Sequence, residues 1–427
     1  MILGVIADDF TGATDVASML VRAGMRTVQV IGVPAGGKVD AVAAEVARAD
    51  AVVVALKSRT TPATEAVADS LAALAWLQAA GARQFYFKVC STFDSTPAGN
   101  IGAVAEALMA ALGTDLVLVC PAFPENGRTV FCGHLFVGDQ LLSDSGMRQH
   151  PLTPMTDANL VTVLQAQCQG RVGLLRHDSV AQGEAAIAAR LDVLRGSGVK
   201  LVVADAINNA DLLRLAGGAA HLPLWVAGSG LALGLPPLLA QAGQVTLDHQ
   251  AAQLDDLRGP AAVLAGSCST ATQAQVAHWI NAGRPALQID PAALAGGEPV
   301  VARALAWAAA LSQPPLFYAT TDASTLAAIQ SRLGTAQAGA LIEQALAAIA
   351  QGLVAAGTQR LVVAGGETSG AVVQALGVQT LRIGTAICPG VPWTQALHGP
   401  GQAPLQLALK SGNFGGSDFF SEALGLA

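Results

Sequence analysis

Two adjacent carboxylates, Asp8 and Asp9, directly follow the first apolar run of the chain, residues 2–6. Thr11 and Gly12 come next, before a segment whose apolar residues indicate a helix. Carboxylates can hold a metal ion or take a proton, and a glycine at the start of a helix lets an anion approach free backbone N–H groups. The alternative is that one aspartate only caps the helix. Because a cap needs one carboxylate, the pair favours a ligand site.

Three later apolar runs in the first half of the chain also end in polar side chains. The residues there that could do chemistry are Arg59, Lys88, Asp94, Ser95, Thr96 and Arg128. The carboxyl ends of parallel strands meet at one edge of a sheet, so we expect these side chains to lie beside the aspartates. Such a pocket suits a small polyhydroxylated acid, because arginine pairs a carboxylate bidentately and hydroxyl side chains bond hydroxyls. The alternative for each residue alone is a turn former or a solvated charge.

Glycine-rich turns follow two apolar runs of the second half, residues 261–265 and 360–364. The first turn reads Gly-Ser-Cys-Ser, the second reads Gly-Gly-Glu-Thr-Ser-Gly, and each leads into a predicted helix, the second from residue 371. Glycine turns that lead into helices are typical of nucleotide-phosphate sites. Two more small-residue segments, 389–393 and 410–416, suggest that several such loops form one cradle for a nucleotide. The alternative is a set of ordinary strand-to-helix turns. No Gly-x-x-x-x-Gly-Lys-Ser/Thr motif is present, which argues against a P-loop enzyme.

Strand-like runs alternate with helical ones along most of the chain, which predicts α/β domains. We expect two domains, each a mostly parallel sheet with helices on both faces, with a ligand cleft between them. The predicted domains are residues 1–247 and 261–427, joined by a polar linker at 248–260 that ends in Gly-Pro. The predicted strands are residues 2–6, 27–31, 51–56, 84–88, 115–120, 172–175, 200–204 and 222–226, then 261–265, 286–289, 315–319, 360–364 and 380–383, with a hairpin at 129–137. The main predicted helices are residues 63–79, 101–112, 157–165, 182–194, 271–280 and 336–356.

The composition excludes several classes of protein. Hydrophobic residues make up 52% of the 427, but glycines and prolines interrupt the longest uncharged stretch, residues 215–247, so it cannot form a spanning helix. A formal net charge of −7 argues against non-specific nucleic-acid binding. No signal peptide is recognisable and the six cysteines contain no Cys-x-x-Cys pair, which predicts a cytoplasmic protein with free thiols. We expect no metal site built from protein side chains alone.

Together these motifs resemble the four-carbon acid sugar kinases, from one end of the chain to the other. The matching segments are GVIADDFTGATD (4–15), LKSR (56–59), QFYFKVCSTFDSTPAGNIG (84–102), NGRT (126–129), LFVGD (135–139), PMTDANL (154–160), GSCS (266–269), GGETS (365–369), PGVPW (389–393) and LKSGNFG (409–415). One departure is Pro97-Ala98, where other branches of the family often carry Leu-Arg. An arginine contact at that position is therefore not available to this chain.

The resemblance implies that the N-terminal domain binds a sugar acid and that the C-terminal domain binds ATP with Mg²⁺. On the sugar-acid side it implies catalytic roles for Asp8, Asp9 and Lys88, and substrate contacts from Thr11, Gly12, Arg59, Asp94, Ser95 and Thr96. On the nucleotide side it implies contacts from Ser267, Gly365, Gly366, Glu367, Thr368 and Gly412. The implied reaction, in the branch that the motifs match best, transfers the γ-phosphoryl group of ATP to the 4-hydroxyl of 3-oxo-tetronate.

We hypothesise that Arg59 binds the carboxylate of the acid and that Asp9 acts on the 4-hydroxyl as a base or an orienting group. Lys88 would neutralise charge on the transferring phosphoryl group, and Mg²⁺ would bridge the phosphates, held mostly by phosphate and water. The alternatives are a D-threonate or D-erythronate 4-kinase and a non-catalytic small-acid-binding protein. The expected partners are the two small-molecule substrates and a second copy of the chain in a homodimer, with neither nucleic acid nor a membrane.

Overall fold

The structure is a computed structural model that describes residues 1–34, 39–94, 96–149, 153–319, 335–397 and 403–426, with the backbone alone described at 39–42 and 335–338. The chain divides into two compact units, Met1–Ala252 and Gln253–Ala427.

The first unit is built on a sheet of eight strands, all paired in parallel, in the order β2-β3-β1-β4-β11-β5-β10-β9. Its central strands are buried along their whole length, which is why they are short continuous apolar runs in the sequence. The strands of this sheet are β1 Leu3–Ala7, β2 Thr27–Ile31, β3 Ala51–Ala55, β4 Gln84–Lys88, β5 Val117–Cys120, β9 Arg171–Leu175, β10 Val199–Ala204 and β11 Leu224–Ala227.

Helices connect these parallel strands, as a parallel sheet requires. They are α1 Phe10–Arg22, α2 Val39–Arg48, α3 Ala63–Ala79, α4 Ile101–Leu112, α5 Leu160–Gln165, α6 His177–Val180, α7 Glu184–Gly196, α8 Asn209–Gly218 and α9 Leu235–Gln241. Short 3₁₀ turns lie at Pro124–Asn126, Leu142–Asp144, Gly146–Gln149 and Ser229–Gly234. The helix after β1 begins at Phe10, before Thr11 and Gly12 and not after them as the sequence predicts, because Asp9 caps it.

A small antiparallel sheet of three strands, β6 Arg128–Phe131, β7 His134–Val137 and β8 Gln140–Leu141, fills the place of the predicted hairpin. The turn between β6 and β7 is held by the buried carboxylate of Asp205 at the end of β10. This carboxylate accepts the backbone N–H groups of Cys132 (2.9 Å), Gly133 (2.8 Å) and His177 (2.9 Å). Asp205 therefore ties the small sheet and the start of α6 to the main sheet.

The second unit contains a mixed sheet in the order β13-β14-β12-β15-β18-β17-β16. The pairs from β13 to β18 are parallel, and β17 is antiparallel to both of its neighbours. The strands are β12 Ala261–Ala265, β13 Ala286–Gln288, β14 Leu316–Tyr318, β15 Arg360–Ala364, β16 Thr380–Cys388, β17 Val391–Ala396 and β18 Leu405–Lys410. The helices are α10 Thr270–Asn281, α11 Pro291–Ala295, α12 Val300–Ala309, α13 Thr335–Ala355, α14 Gly366–Ala375 and α15 Phe419–Leu424.

The predicted α/β class with mostly parallel sheets is confirmed, and the first-unit strands lie within two residues of their predicted ends. The C-terminal prediction was incomplete, because β18 was not among the predicted strands and β16 ends at Cys388, five residues beyond its predicted end. Two further predictions there were wrong. Residues 391–393 are the start of β17, not part of a loop, and Pro392 is tolerated because it pairs with Ala386 where the register shifts. The helix predicted from residue 371 begins at Gly366, so Glu367 and Thr368 lie in its first turn.

Among the residues that the structure describes, no helix is long and apolar enough to cross a membrane.

Replacement of Asp205 by alanine should destabilise the protein, because three backbone N–H groups, one of them fully buried, would lose their acceptor. We expect the free energy of unfolding, measured by chemical denaturation of the full chain, to fall by about 2–4 kcal/mol. The control is Asp178→Ala, since that side chain is 64% exposed, and its effect should stay within about 0.5 kcal/mol. A loss below about 1 kcal/mol for the Asp205 variant would show that the carboxylate does not hold the turn.

Candidate functional site

Five strands of the first unit bring polar residues to one edge of its sheet. Strands β3, β1, β4, β11 and β5 are consecutive neighbours, and their carboxyl ends are level, since Ala7 pairs with both Ala55 and Lys88, and Lys88 pairs with Ala227. The segments that follow these strands therefore meet, as the sequence predicts. We call this surface the sugar-acid edge, after the ligand that the sequence analysis expects there.

The centre of the sugar-acid edge is the guanidinium of Arg59, which bonds both aspartates. Its Nε donates to Asp8 Oδ2 (3.0 Å), and its Nη2 donates to Asp8 Oδ1 (2.8 Å) and Asp9 Oδ1 (2.6 Å). The loop that carries Arg59 is fixed by Asn100, whose side-chain amide donates to the carbonyls of Ser58 (2.7 Å) and Thr61 (3.1 Å). The two parallel hydrogen bonds from the guanidinium to Asp8 hold the arginine in one orientation.

Asp9 is both the cap of α1 and a partner of Arg59. It accepts the backbone N–H of Gly12 and the hydroxyl of Thr11, both at 2.8 Å. A Cβ on residue 12 would lie 2.3 Å from Asp9 Oδ1, so only glycine allows this approach. Burial alone would raise the pKa of Asp9, but the charges of Arg59 and Lys88 and these hydrogen bonds outweigh it and lower the pKa. A carboxylate with a lowered pKa is a weak base, so the geometry favours an orienting role for Asp9.

Asp8 is almost fully buried, and burial raises its pKa despite the charge of Arg59. Lys88 is also buried, with its Nζ donating to the carbonyl of Val89 (2.8 Å) and lying 3.1 Å from the position that a Cβ on Gly12 would take. The ammonium is therefore directed at the first turn of α1. The buried carboxylates and cations of this edge are therefore neighbours, and their attraction offsets part of the free-energy cost of removing each charge from water.

A polar cavity opens beside this cluster. It is lined by Arg59, Thr60, Thr61, Asp94, Thr96, Ala98, Gly99, Asn100 and Thr153. The loop that carries Asp94 contains the buried Phe93 at φ 52°, a left-handed conformation that is uncommon for such a side chain. Ser95, which the sequence also predicts as a contact, lies outside the described residues.

In the second unit, β12, β15 and β18 are neighbours whose last residues, Ala265, Ala364 and Lys410, are in register. The segments that follow these strands meet at one edge, which we call the nucleotide edge, after the ligand that the sequence analysis expects there. A Cβ on Gly412 would lie 2.3 Å from Ser267 Oγ, so the backbone of Gly412 lies against the Ser267 side chain. Gly365 follows β15, and its Cβ position is 3.2 Å from Ser267 N and 3.0 Å from Oγ1 of Thr368, in the first turn of α14. Four of the six predicted nucleotide contacts, Ser267, Gly365, Thr368 and Gly412, are thus adjacent. Gly366 is the first residue of α14, and Glu367 is exposed on its first turn.

Two helices, α10 and α14, begin at this edge, and their first N–H groups have no partner within the helix. The loop 411–416 is held by side chains of α10: Ser269 Oγ (2.6 Å) and Thr272 Oγ1 (2.9 Å) donate to the carbonyl of Gly412, and Gln275 donates to three carbonyls at 414–416. Helix N-termini beside a rigid glycine loop form an anion-binding surface. Within the described ranges, no cluster of three His, Cys, Asp or Glu side chains has the arrangement of a metal site.

Two family models match the chain: a sugar-binding N-terminal domain over residues 3–235 and a nucleotide-binding C-terminal domain over residues 262–420. Curated relatives named 3-oxo-tetronate kinase are similar to it over nearly its whole length. The proteins of Cupriavidus necator and Pseudomonas fluorescens are each 61% identical to it, and each alignment covers 99% of this chain and 96% of the relative. The chain belongs to the 3-oxo-tetronate kinase family.

Solved structures agree with this membership. A Salmonella typhimurium LT2 protein has a TM-score of 0.84 at 44% identity, with 99% of this chain and 98% of that chain covered. A Haemophilus influenzae protein has a TM-score of 0.75 at 42% identity, with 99% of both chains covered. The resemblance drawn from the motifs is confirmed, and the protein is a kinase.

Asp15 is a residue of the kinase's sugar-acid edge that the sequence reasoning missed. It is buried on α1, its Oδ2 accepts the hydroxyl of Ser229 (2.5 Å), and its Oδ1 has no hydrogen-bond partner among the described residues. Burial raises its pKa to about 6, although Lys88 and Ser229 act in the opposite direction. The available signal was an isolated acid in an otherwise apolar helix, but its partner Ser229 is 214 residues away.

Asp15→Asn should stabilise the kinase in a pH-dependent way. The pKa of Asp15 is raised in the folded state, so its ionisation costs stability as the pH rises from about 4 to about 6, and asparagine removes that cost. We expect the variant's gain in free energy of unfolding to grow over this range and to level off at roughly 1–3 kcal/mol. The control is Asp192→Asn, whose side chain is 67% exposed. A gain that does not vary with pH would contradict the buried, proton-binding carboxylate.

Proposed function

We propose that this kinase transfers the γ-phosphoryl group of ATP to the 4-hydroxyl of 3-oxo-tetronate, a four-carbon sugar acid. The observation that carries the proposal is the polar cavity lined by Arg59, Asp94 and Thr96, in a chain that is 61% identical to proteins named 3-oxo-tetronate kinase. The cavity offers a cation for a carboxylate and hydroxyl and carboxyl oxygens for the substrate hydroxyls.

Arg59 is assigned to the carboxylate of the acid. Its Nε and Nη2 bond Asp8 and Asp9, and we assign the remaining nitrogen, Nη1, to the carboxylate of the substrate. The two aspartates then act as supports that hold the guanidinium in the cavity wall. Thr96 and Asp94 are assigned to the hydroxyl groups, together with Thr11 and Gly12 at the start of α1 and Ser95 of the same loop as Asp94.

Asp9 is assigned to orient the 4-hydroxyl, because its side chain is 17% exposed whereas that of Asp8 is 3% exposed. Phosphoryl transfer passes through a loose transition state in which positioning and charge neutralisation matter more than proton removal. The lowered pKa of Asp9 is therefore compatible with catalysis. Lys88, buried at the same helix start, is assigned to offset the negative charge of the transferring group.

The nucleotide edge is assigned to ATP. Ser267, Gly412 and residues 365–368 surround the N-termini of α10 and α14, where backbone N–H groups can bind phosphate oxygens. Mg²⁺ would enter with the phosphates, held by their oxygens and by water, and would supply charge neutralisation on the β- and γ-phosphates. We assign the sugar acid to a domain at 1–247 and ATP to a domain at 261–427, joined at 248–260. A homodimer and a cytoplasmic location stay predictions.

The substrate assignment is tested by ADP release from Mg-ATP with 3-oxo-tetronate, D-threonate and D-erythronate as acceptors. We expect turnover with the 3-oxo acid at a kcat/KM at least about tenfold above that of either reduced acid, a difference of about 1.4 kcal/mol. Preference for a reduced acid would overturn the assignment of the acceptor while leaving the kinase. Nucleotide binding without turnover of any of the three acids would favour a different acceptor class.

Arg59→Lys keeps a positive charge but removes the fork. We expect KM for the acid to rise by about tenfold or more, while KM for ATP stays within about twofold, because the compact ammonium of a lysine cannot reproduce the planar, bidentate geometry of the guanidinium. The matched control is Arg26→Lys: Arg26 forms the same fork on Asp50 (2.9 and 2.7 Å), but its side chain is 52% exposed. An unchanged KM for the acid in the Arg59 variant would place the carboxylate site elsewhere.

A further inference from the structure

Lys410, the last residue of β18, is a fully buried lysine directly behind the nucleotide edge. Its Nζ donates to the carbonyls of Ser411 (2.9 Å) and Gly412 (2.9 Å) and to Thr272 Oγ1 (3.2 Å). An ammonium has three protons, and these three acceptors use all of them. The side chain therefore fixes the backbone of Gly412, whose Cα lies against Ser267 in the proposed cradle.

The charge of Lys410 has no acidic partner in the part of the chain that the structure describes. Helix α10 places Thr272 beside Nζ, and α15 places the ring of Phe419 there, with Nζ 5.9 Å from its centroid. The titratable side chains of these helices and their caps, His278, Asp418 and Glu422, are exposed. Cys388, at the end of β16, is the titratable neighbour that favours the charged form.

Burial lowers the pKa of Lys410 to about 7. A buried cation without a counter-ion is costly, and the cost falls when an anion is placed nearby. Lys410 directly precedes the loop 411–416 in the chain, and this loop is assigned to the phosphates of the nucleotide. A bound di- or triphosphate would therefore favour the protonated lysine.

We propose that Lys410 is a positioning residue of the nucleotide site, whose ammonium shapes the loop at 411–412. The phosphates of bound nucleotide are its counter-ion, so nucleotide binding takes up a proton at this side chain. The inference deepens the proposed function and rests on the assignment of this edge to ATP. Lys410 acts through the carbonyls of Ser411 and Gly412 and is not itself a contact of the reacting atoms.

The test is isothermal titration calorimetry of Mg-ADP binding to the full chain at pH 8, in two buffers of different ionisation enthalpy. At this pH the ADP phosphates are already ionised, so they contribute no proton exchange. We expect wild type to take up roughly half a proton per ADP, because a phosphate neighbour shifts the protonation equilibrium of Lys410 upwards. Lys410→Met should lose this uptake and bind ADP about tenfold more weakly. The control is Lys200→Met, an exposed lysine on β10, which should behave like wild type.

Equal proton uptake by wild type and Lys410→Met would overturn the inference. If the methionine variant does not fold, the affinity of wild type for Mg-ADP at pH 7 and pH 9 decides the matter. We expect the affinity to fall by about tenfold over this interval, and an affinity that stays constant would overturn the inference. Failure of wild type to bind ADP at all is a different result, because it would refute the assignment of the nucleotide edge itself.

Discussion

The hydrogen-bonded ion pairs of Arg59 with Asp8 and Asp9 are the interaction on which the sugar-acid edge depends. Two carboxylates side by side at the end of a buried strand repel each other and lose hydration, and one guanidinium between them offsets both costs. Much of the surrounding structure serves this arrangement. Asn100 fixes the loop of Arg59, Gly12 leaves room for the carboxylate of Asp9, and the N-terminus of α1 adds its own positive dipole.

The two binding edges share an architecture but differ in chemistry. In each unit, neighbouring parallel strands end level with one another, so loops that are distant in sequence meet beside helix N-termini. The sugar-acid edge carries several charges of both signs, which suits a small ligand with a carboxylate and hydroxyls. Apart from the exposed Glu367, the nucleotide edge has small uncharged residues at its surface, which suits the proposed approach of phosphates to backbone N–H groups, and the buried cation Lys410 lies behind the loop.

Local sequence patterns predicted most of the fold. Strand Gln84–Lys88 and helices Ala63–Ala79 and Ile101–Leu112 have their predicted bounds, because apolar runs and helical periodicity are decided within the segment itself. Strand Val391–Ala396 was missed because Pro389, Gly390 and Pro392 are typical of a loop. Its pairing with two neighbouring strands overrides that local preference.

The candidate site was predictable in its composition but not in its internal bonding. Parallel topology correctly predicted that Asp8, Arg59 and Lys88 lie at one edge, yet no sequence pattern indicated that Arg59 is shared between two aspartates. The bond of Asp15 to Ser229 and the three acceptors around Lys410 join distant segments, so they follow from the packed fold and not from spacing.

The most direct test of the account is a crystal structure of the protein with ADP and 3-oxo-tetronate bound together. We expect the carboxylate of the acid within hydrogen-bond distance of Arg59 Nη1, its 4-hydroxyl beside Asp9, and the ADP phosphates on Ser267, residues 365–368 and Gly412. An acid bound away from the cavity of Arg59 and Asp94, or phosphates bound away from the loop of Gly412, would contradict it.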